Sequence, residues 1–226
     1  MGHDICPTSV GIIMDGNRRW AKSRGVPMLE GHRAGVEALK EAVRFLRNQG
    51  VRHIAPYAFS TENWNRSADE VSHLLTLFTA LLEKDVAELG AEGFRIRFAG
   101  QRERFSPKIQ KLMLRAEKDT SSNTAATIWI CVSYGGRAEI VVAARAAGET
   151  GAITEESLSH NLWTSDMPDP DVIIRTGGEK RLSGFLAWQS VYSELFFSDT
   201  LWPDFSNEEL GAILVEFASR ERRHGK

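Results

Sequence analysis

The stretch SVGIIMDGNRRWAK, Ser9 to Lys22, decides the fold. An apolar run through Val10, Ile12, Ile13 and Met14 stops at a carboxylate, Asp15, and Gly16, Asn17, Arg18 and Arg19 follow at once. A buried parallel strand delivers polar groups to the carboxyl edge of a sheet in this way, where open α/β folds place their ligands. Carboxylate, close-approach glycine and guanidinium side by side suit a magnesium-bound phosphate. Read alone, Asp15-Gly16-Asn17 is equally a hairpin turn, since Asp-Gly is a favoured pair there.

Working outward, Gly31 to Asn48 carries Val36, Leu39, Val43 and Leu46 on one helical face, with Gly50 as its stop. Val51 to Phe59 reads as a strand, although Pro56 removes a ladder donor and is expected to bend it. Ser67 and Glu70 form a capping box ahead of a long amphipathic helix running through Ala68 to Leu89. Phe94 to Ala99 reads as a strand, and Ser106-Pro107 opens a helix to about Asp119. Ala126 to Val132 is a buried strand, Tyr134-Gly135-Gly136 a turn, Arg137 to Ala147 a helix and Gly148 to Gly151 a loop. Thr154 to Trp163 is a short helix, Asp171 to Ile174 a strand, and a helix runs from Ser206 to about Arg223. Strands and helices alternate with no repeat or linker. The expected fold is therefore α/β, one domain over 1–226, with a mostly parallel central sheet flanked by helices.

Composition sets outer bounds. The 226 residues are 42% hydrophobic, enough for one well-cored domain. Lys plus Arg number 28 against 30 Asp plus Glu, and the net charge of -2 argues against nucleic acid as a partner. The two cysteines, Cys6 and Cys131, form no metal or disulfide pattern, so a reducing cytoplasm is the expected location. No apolar run is long enough to span a bilayer, which leaves room only for a peripheral membrane contact. Neither G-x-G-x-x-G nor G-x-x-x-x-G-K-[ST] follows a strand, which disfavours nucleotides.

Polar clusters recur after the strands: Asp15 to Arg19, Ser60 to Arg66, Tyr134 to Arg137 and Arg175 to Arg181. In a parallel sheet these loops converge on one edge. Arg175-Thr-Gly-Gly-Glu-Lys-Arg181-Leu-Ser183 joins two arginines and a hydroxyl to a glycine turn, suited to bidentate phosphate contacts, though a solvated loop with ion pairs has the same composition. His32 fits a phosphate ligand, a general base or a packing residue. The six tryptophans, among them Trp20 and Trp64, suit core, and their interleaving with the phosphate-type loops hints at a ligand with an apolar part.

MDGNRRWA, GHRAG, YAFSTENWNR, YGGRAEI, PDPDVIIRTGGEKRLS, WQSVYSELFFSDTLWPDF and RERRHG, in this order from about Val10 to Gly225, resemble the cis-prenyltransferases, the undecaprenyl diphosphate synthase family. The resemblance implies a homodimeric fold with an apolar tunnel that joins an allylic to a homoallylic prenyl diphosphate with Mg2+. It implies Asp15 as the carboxylate for magnesium and the allylic diphosphate, with Gly16, Asn17, Arg19, Trp20 and His32 around that pocket, and Arg18, between Asn17 and Arg19, is a further candidate to bind that diphosphate. Ser60, Asn63 and Arg66 would stand beside the reacting carbons, with Asn63 assisting proton removal. Arg175, Arg181 and Ser183 would hold the second diphosphate, Glu194 would add a metal ligand, and Arg223 and Gly225 would belong to a tail reaching the partner subunit's site.

Several positions depart from that family's pattern. Arg18 stands where the undecaprenyl members have glycine, Met28 where an arginine clamps the allylic diphosphate, and Gly184 where an asparagine follows the serine. This combination is similar to the subgroup making irregular, lavandulyl-type products from two allylic diphosphates. Head-to-middle coupling of dimethylallyl and geranyl diphosphate is accordingly the leading expectation. Regular elongation with isopentenyl diphosphate is the alternative, and a non-catalytic subunit, which typically loses Asp15 and the diphosphate arginines, ranks behind both.

Overall fold

A computed structural model describes residues 6–220 of the chain. Its elements are β1 (Ser9–Ile13), α1 (Asn17–Ser23), α2 (Met28–Asn48), β2 (His53–Ser60), α3 (Ala68–Ala80), α4 (Val86–Ala91), β3 (Phe94–Ala99), α5 (Pro107–Asp119), β4 (Ala126–Tyr134), α6 (Gly136–Thr150), α7 (Glu155–His160), β5 (Val172–Arg175), β6 (Glu194–Phe197) and α8 (Asn207–Ser219). The sheet order is β3-β4-β2-β1-β5-β6, and every strand pair is parallel. Both faces are covered, so the central strands are buried along their length instead of alternating, as SVGII of β1 and VIIR of β5 show. One face packs under α2, α3, α5 and α8 through residues such as Leu46, Ile96, Met113 and Phe217. The other carries Phe185, Leu186, Trp129 and Tyr134.

The expected α/β architecture is what the chain adopts, with several local differences. Asp15-Gly16-Asn17 is no hairpin: the chain leaves β1 and enters α1, a seven-residue helix that periodicity does not reveal because NRRWAKS is almost wholly polar. Gly16 sits at φ 117°, and a Cβ there would lie 2.9 Å from the Leu201 backbone, so only glycine makes this exit from the strand. The long amphipathic helix is interrupted by a π turn at Leu81–Asp85, between α3 and α4. Tyr134 to Gly136 is no turn either, since β4 runs directly into α6, which extends through Gly148 to Thr150. The last helix ends at Ser219, with Ser206 as its cap accepting from the Glu209 amide. β6 is an additional short edge strand. Pro56 lies inside the central strand β2, opposite Ile12, and the β2–β4 register shifts on both sides of Phe59. A strand that lacks a donor at this point yields its regular ladder to a bulge.

Candidate active site

The carboxyl ends of β1, β2, β4 and β5 open on a cavity of about 610 Å³ lined by Asp15, Ser60, Asn63, Arg66, Gly135, Arg137, Arg175 and Ser183, with Glu62 and Tyr57. A second cavity of about 310 Å³ adjoins it, lined by Asp15, Gly16, Asn17, Arg18, Arg19, His32, Asn63 and Arg66. Met14, Asp15, Tyr57, Asn63 and Arg66 line both. An apolar cavity of about 90 Å³, bounded by Leu39, Phe59, Leu74, Phe78, Phe105 and Trp202, shares Asn17 and His32 with the second. The four loop clusters after the strands therefore do converge, and Asp15 stands at their junction.

The placement of Asp15 follows from local bonding. Its carbonyl accepts from Thr176 Oγ1 at 2.8 Å and from the Trp202 amide at 3.0 Å, which fixes the end of β1 to the segments after β5 and β6. Its carboxylate takes Arg175 Nη2 at 2.8 Å on one oxygen and Arg19 Nη2 at 3.2 Å on the other. Arg175 is only 5% exposed. It also donates to Ser183 Oγ at 2.8 Å and to the Arg181 carbonyl at 2.6 Å. Arg19 donates to the Gly177 carbonyl at 2.6 Å. Ser60 and Asn63 cap a short 3₁₀ turn reciprocally, the Ser60 amide donating to Asn63 Oδ1 at 3.0 Å. Arg66 donates to Glu70 at 2.8 Å, and Arg18 reaches the same carboxylate at 3.5 Å across the rim of the second cavity.

Three buried polar atoms around these cavities have no hydrogen-bond partner among the described residues: Asn17 Oδ1, His32 Nε2 and Arg175 Nε. Buried polar atoms are seldom left so, and such a set marks where a ligand supplies the missing bonds. Burial, with Arg66 and Arg18 nearby, pushes the His32 pKa down to about 4, against a smaller opposing pull from Glu70. His32 is thus a neutral imidazole at neutral pH, able to donate one N–H without adding charge. Arg18, Arg19, Arg66, Arg137 and Arg175 face Asp15 and Glu62 across the two cavities, so the lining is strongly cationic in a chain of net charge -2. Such a lining focuses anions where the rest of the surface does not.

Among the described residues, no group of three or more His, Cys, Asp or Glu side chains could enclose a metal. Asp15 alone offers a carboxylate at the junction, and one carboxylate suits Mg2+ when substrate phosphates complete the shell. Glu194 is not brought to Asp15 within one chain. It begins β6 opposite Val172, and Val172 lies level with Val10, so it stands about 10 Å below the site edge at about 3.3 Å per residue. Its carboxylate is held by Arg220 at 2.5 Å. Trp20 lines neither cavity: its indole donates to Asp204 at 2.8 Å and the Arg24 guanidinium stacks over its ring at 4.4 Å. The Arg181 side chain is paired with Glu179 outside the lining, while its carbonyl serves Arg175. Arg223 and Gly225 lie outside the described residues. Tyr57, Glu62 and Arg137 line the larger cavity without having been singled out. Arg137 carried a signal, since it closes the cluster after β4, whereas Tyr57 sits within a strand and gives none.

Comparison with known proteins places the chain among close relatives. A family model described as "Putative undecaprenyl diphosphate synthase" matches residues 13–225. The isoprenyl transferase of Rhizobium meliloti is 48% identical over 97% of this chain and 92% of its own length. The ditrans,polycis-undecaprenyl-diphosphate synthase ((2E,6E)-farnesyl-diphosphate specific) of Pseudomonas aeruginosa is 45% identical over 99% of this chain and 92% of its own length. Among solved structures, lavandulyl diphosphate synthase from Lavandula x intermedia, in complex with dimethylallyl diphosphate, superposes with a TM-score of 0.94 at 35% identity, covering 99% of this chain and 100% of that one.

Proposed function

The chain belongs to the undecaprenyl diphosphate synthase family of cis-prenyltransferases, and on that premise we propose that it extends an allylic diphosphate with isopentenyl diphosphate, releasing pyrophosphate. That acceptor replaces the irregular coupling favoured by the sequence departures, because relatives sharing 45–48% of the sequence are named isoprenyl transferase or undecaprenyl-diphosphate synthase. The observation that carries the reading is the pair of adjoining cationic cavities meeting at Asp15, with an apolar cavity opening from one of them. Two anionic headgroups and one hydrocarbon tail match that arrangement.

In this reading the second cavity takes the allylic diphosphate, with Arg18, Arg19, the His32 N–H and the remaining N–H of the Asn17 amide as its donors. The larger cavity takes isopentenyl diphosphate on Arg175, Ser183 and the loop glycines. Asp15 would hold Mg2+ together with phosphate oxygens, and the ion would supply further positive charge to the leaving diphosphate. The guanidinium groups stabilise negative charge as the allylic C1–O bond breaks, and being fixed in advance they need no reorganisation then. Ser60 and Asn63, bonded to one another at the junction, are the neutral polar groups beside the carbon that loses its proton. The 90 Å³ apolar space is smaller than the ~150 Å³ cavity that holds one benzene, so a prenyl tail enters as α3 moves outward. α3 has no fully buried residue and ends at the π turn, which suits such a motion.

The remaining assignments have separate support. A homodimer fits the edge strand β6, which among the described residues pairs on one side only and carries half-exposed Leu195 and Phe197 beside exposed Val191 and Tyr192. A reducing cytoplasm fits Cys6 and Cys131, both free thiols. Among the described residues no helix is long and apolar enough to cross a membrane, so any membrane contact would be peripheral.

A second reading, irregular coupling of two allylic diphosphates, is favoured by the second cavity. Met28 is 53% exposed and lines none of the three cavities described above, so no clamp arginine is supplied from the start of α2, and Arg18 approaches from α1 instead. Pyrophosphate release separates the two readings. Farnesyl or geranyl diphosphate should react only when isopentenyl diphosphate is added; turnover of dimethylallyl with geranyl diphosphate alone would establish the second reading.

A further inference from the structure

We propose that the Tyr57 ring stabilises the allylic cation that forms during prenyl transfer, a role that rests on the prenyltransferase reading above. Five residues line both cavities, and the bond-forming carbons must lie where the two meet. Arg66 repels a cation, Asp15 is already paired with two arginines, and Asn63 is engaged with Ser60. Apart from Met14, that leaves Tyr57.

The backbone sets this aim. Tyr57 keeps the regular alternation with Ala55 and faces the Phe185 side of the sheet, and the register with β4 slips only after it, leaving Ala58 as the extra residue of a bulge. Ala58 borders the second and the apolar cavities, while Tyr57 borders the junction. The ring is held firmly. Phe185 stacks on one face with centroids 4.7 Å apart and planes at 18°, and Tyr134 meets it edge-on at 5.9 Å. Both supports are fully buried and line neither cavity, so the side of the ring turned away from them is the side the substrates meet. The phenol donates to the Tyr134 carbonyl at 3.1 Å. Burial raises its pKa, so no phenolate is present to capture a carbocation.

The electron balance leaves the ring unchanged. The C1–O bond breaks with its pair going to the departing diphosphate, and positive charge spreads over the allyl unit. The acceptor's double bond supplies the pair for the new C–C bond, and the acceptor then passes a proton to the released diphosphate, its C–H pair closing the new double bond. Throughout, the quadrupole of the ring attracts the charge, an interaction that strengthens in a desolvated site.

The test replaces Tyr57 with Phe and with Phe carrying one, two and three ring fluorines, which weaken the π-face while keeping its shape. Single-turnover pyrophosphate release is measured with farnesyl and isopentenyl diphosphates at saturation. With Tyr57→Phe as the reference, the rate should fall stepwise along the fluorinated series by about 30-fold in all, equivalent to about 2 kcal/mol at about 1.36 kcal/mol per tenfold. KM for both substrates should stay level, because neither ground state carries the cation. Equal rates across the fluorinated series would overturn the role of Tyr57, as would an effect confined to KM. A parent protein that releases no pyrophosphate with any prenyl diphosphate pair would instead remove the prenyltransferase reading. Tyr57→Leu, checked for folding by its thermal transition, should match the most fluorinated variant in rate.

Discussion

Arg175→Lys keeps the charge beside Asp15 and removes the guanidinium fork. In the parent, Arg175 spreads three hydrogen bonds over Asp15, Ser183 and the Arg181 carbonyl, at 2.6 to 2.8 Å. A lysine ammonium can follow the carboxylate but cannot span all three in one plane. Two charge-assisted bonds are then lost, at about 1.5 kcal/mol each for the lower end of their range. Water from the adjoining cavity replaces part of them, since Ser183 borders it. The expected loss of stability is about 2 kcal/mol, read as a lower urea midpoint at unchanged slope. Activity should suffer more than stability, because the acceptor diphosphate needs the same fork: kcat/KM for isopentenyl diphosphate should fall about 100-fold, or about 2.7 kcal/mol. KM for the allylic substrate should hardly move. An Arg175→Lys protein with the parent's urea midpoint and parent kinetics toward isopentenyl diphosphate would refute the assignment of this loop.

His32 should titrate near its depressed value of about 4 in the free protein, followed by the imidazole resonances in NMR, and should move upward when inorganic pyrophosphate fills the cationic pocket. The sign on stability follows from a folded pKa below the ordinary 6.5: the contribution is complete above about pH 6.5 and is lost as pH falls toward 4. The midpoint of denaturation should fall more steeply from pH 7 to pH 4 in the parent than in the His32→Gln variant, since His53, also lowered by burial, titrates in both. Gly16→Ala forces a Cβ to 2.9 Å from Leu201 at φ 117° and should cost about 1–3 kcal/mol in urea unfolding. Arg18→Gly loses an exposed pair with Glu70 and should change stability by less than about 0.5 kcal/mol, while KM for the allylic diphosphate rises.

Much of this was legible because a parallel sheet covered on both faces writes its strands as apolar runs and its ligand loops as polar clusters after them. SVGII, VIIR and the buried part of β4 carry that signature, and Asp15, Ser60, Asn63, Arg66 and Arg175 follow from it directly. Short elements carry no such period. α1 is polar along most of its length, and β6 is four residues of edge strand whose partner lies on one side only. For the same reason the direction of Trp20 was hidden, since a seven-residue helix does not say which face is inward. Glu194 shows the converse limit. Position in a motif is silent about which end of a strand a residue occupies, and only the register with Val172 and Val10 reveals it. Pro56 announced a bend, but the bulge at Ala58 that follows depends on the slip against β4, a nonlocal fact.

The most direct test of the whole account is the identity of the product formed from farnesyl diphosphate and carbon-13-labelled isopentenyl diphosphate, read by mass spectrometry and NMR. The account predicts products heavier by whole labelled isoprene units joined through cis double bonds, absent when Asp15 is replaced by alanine. An unlabelled coupled product from allylic diphosphates alone, or undiminished synthesis by Asp15→Ala, would contradict it.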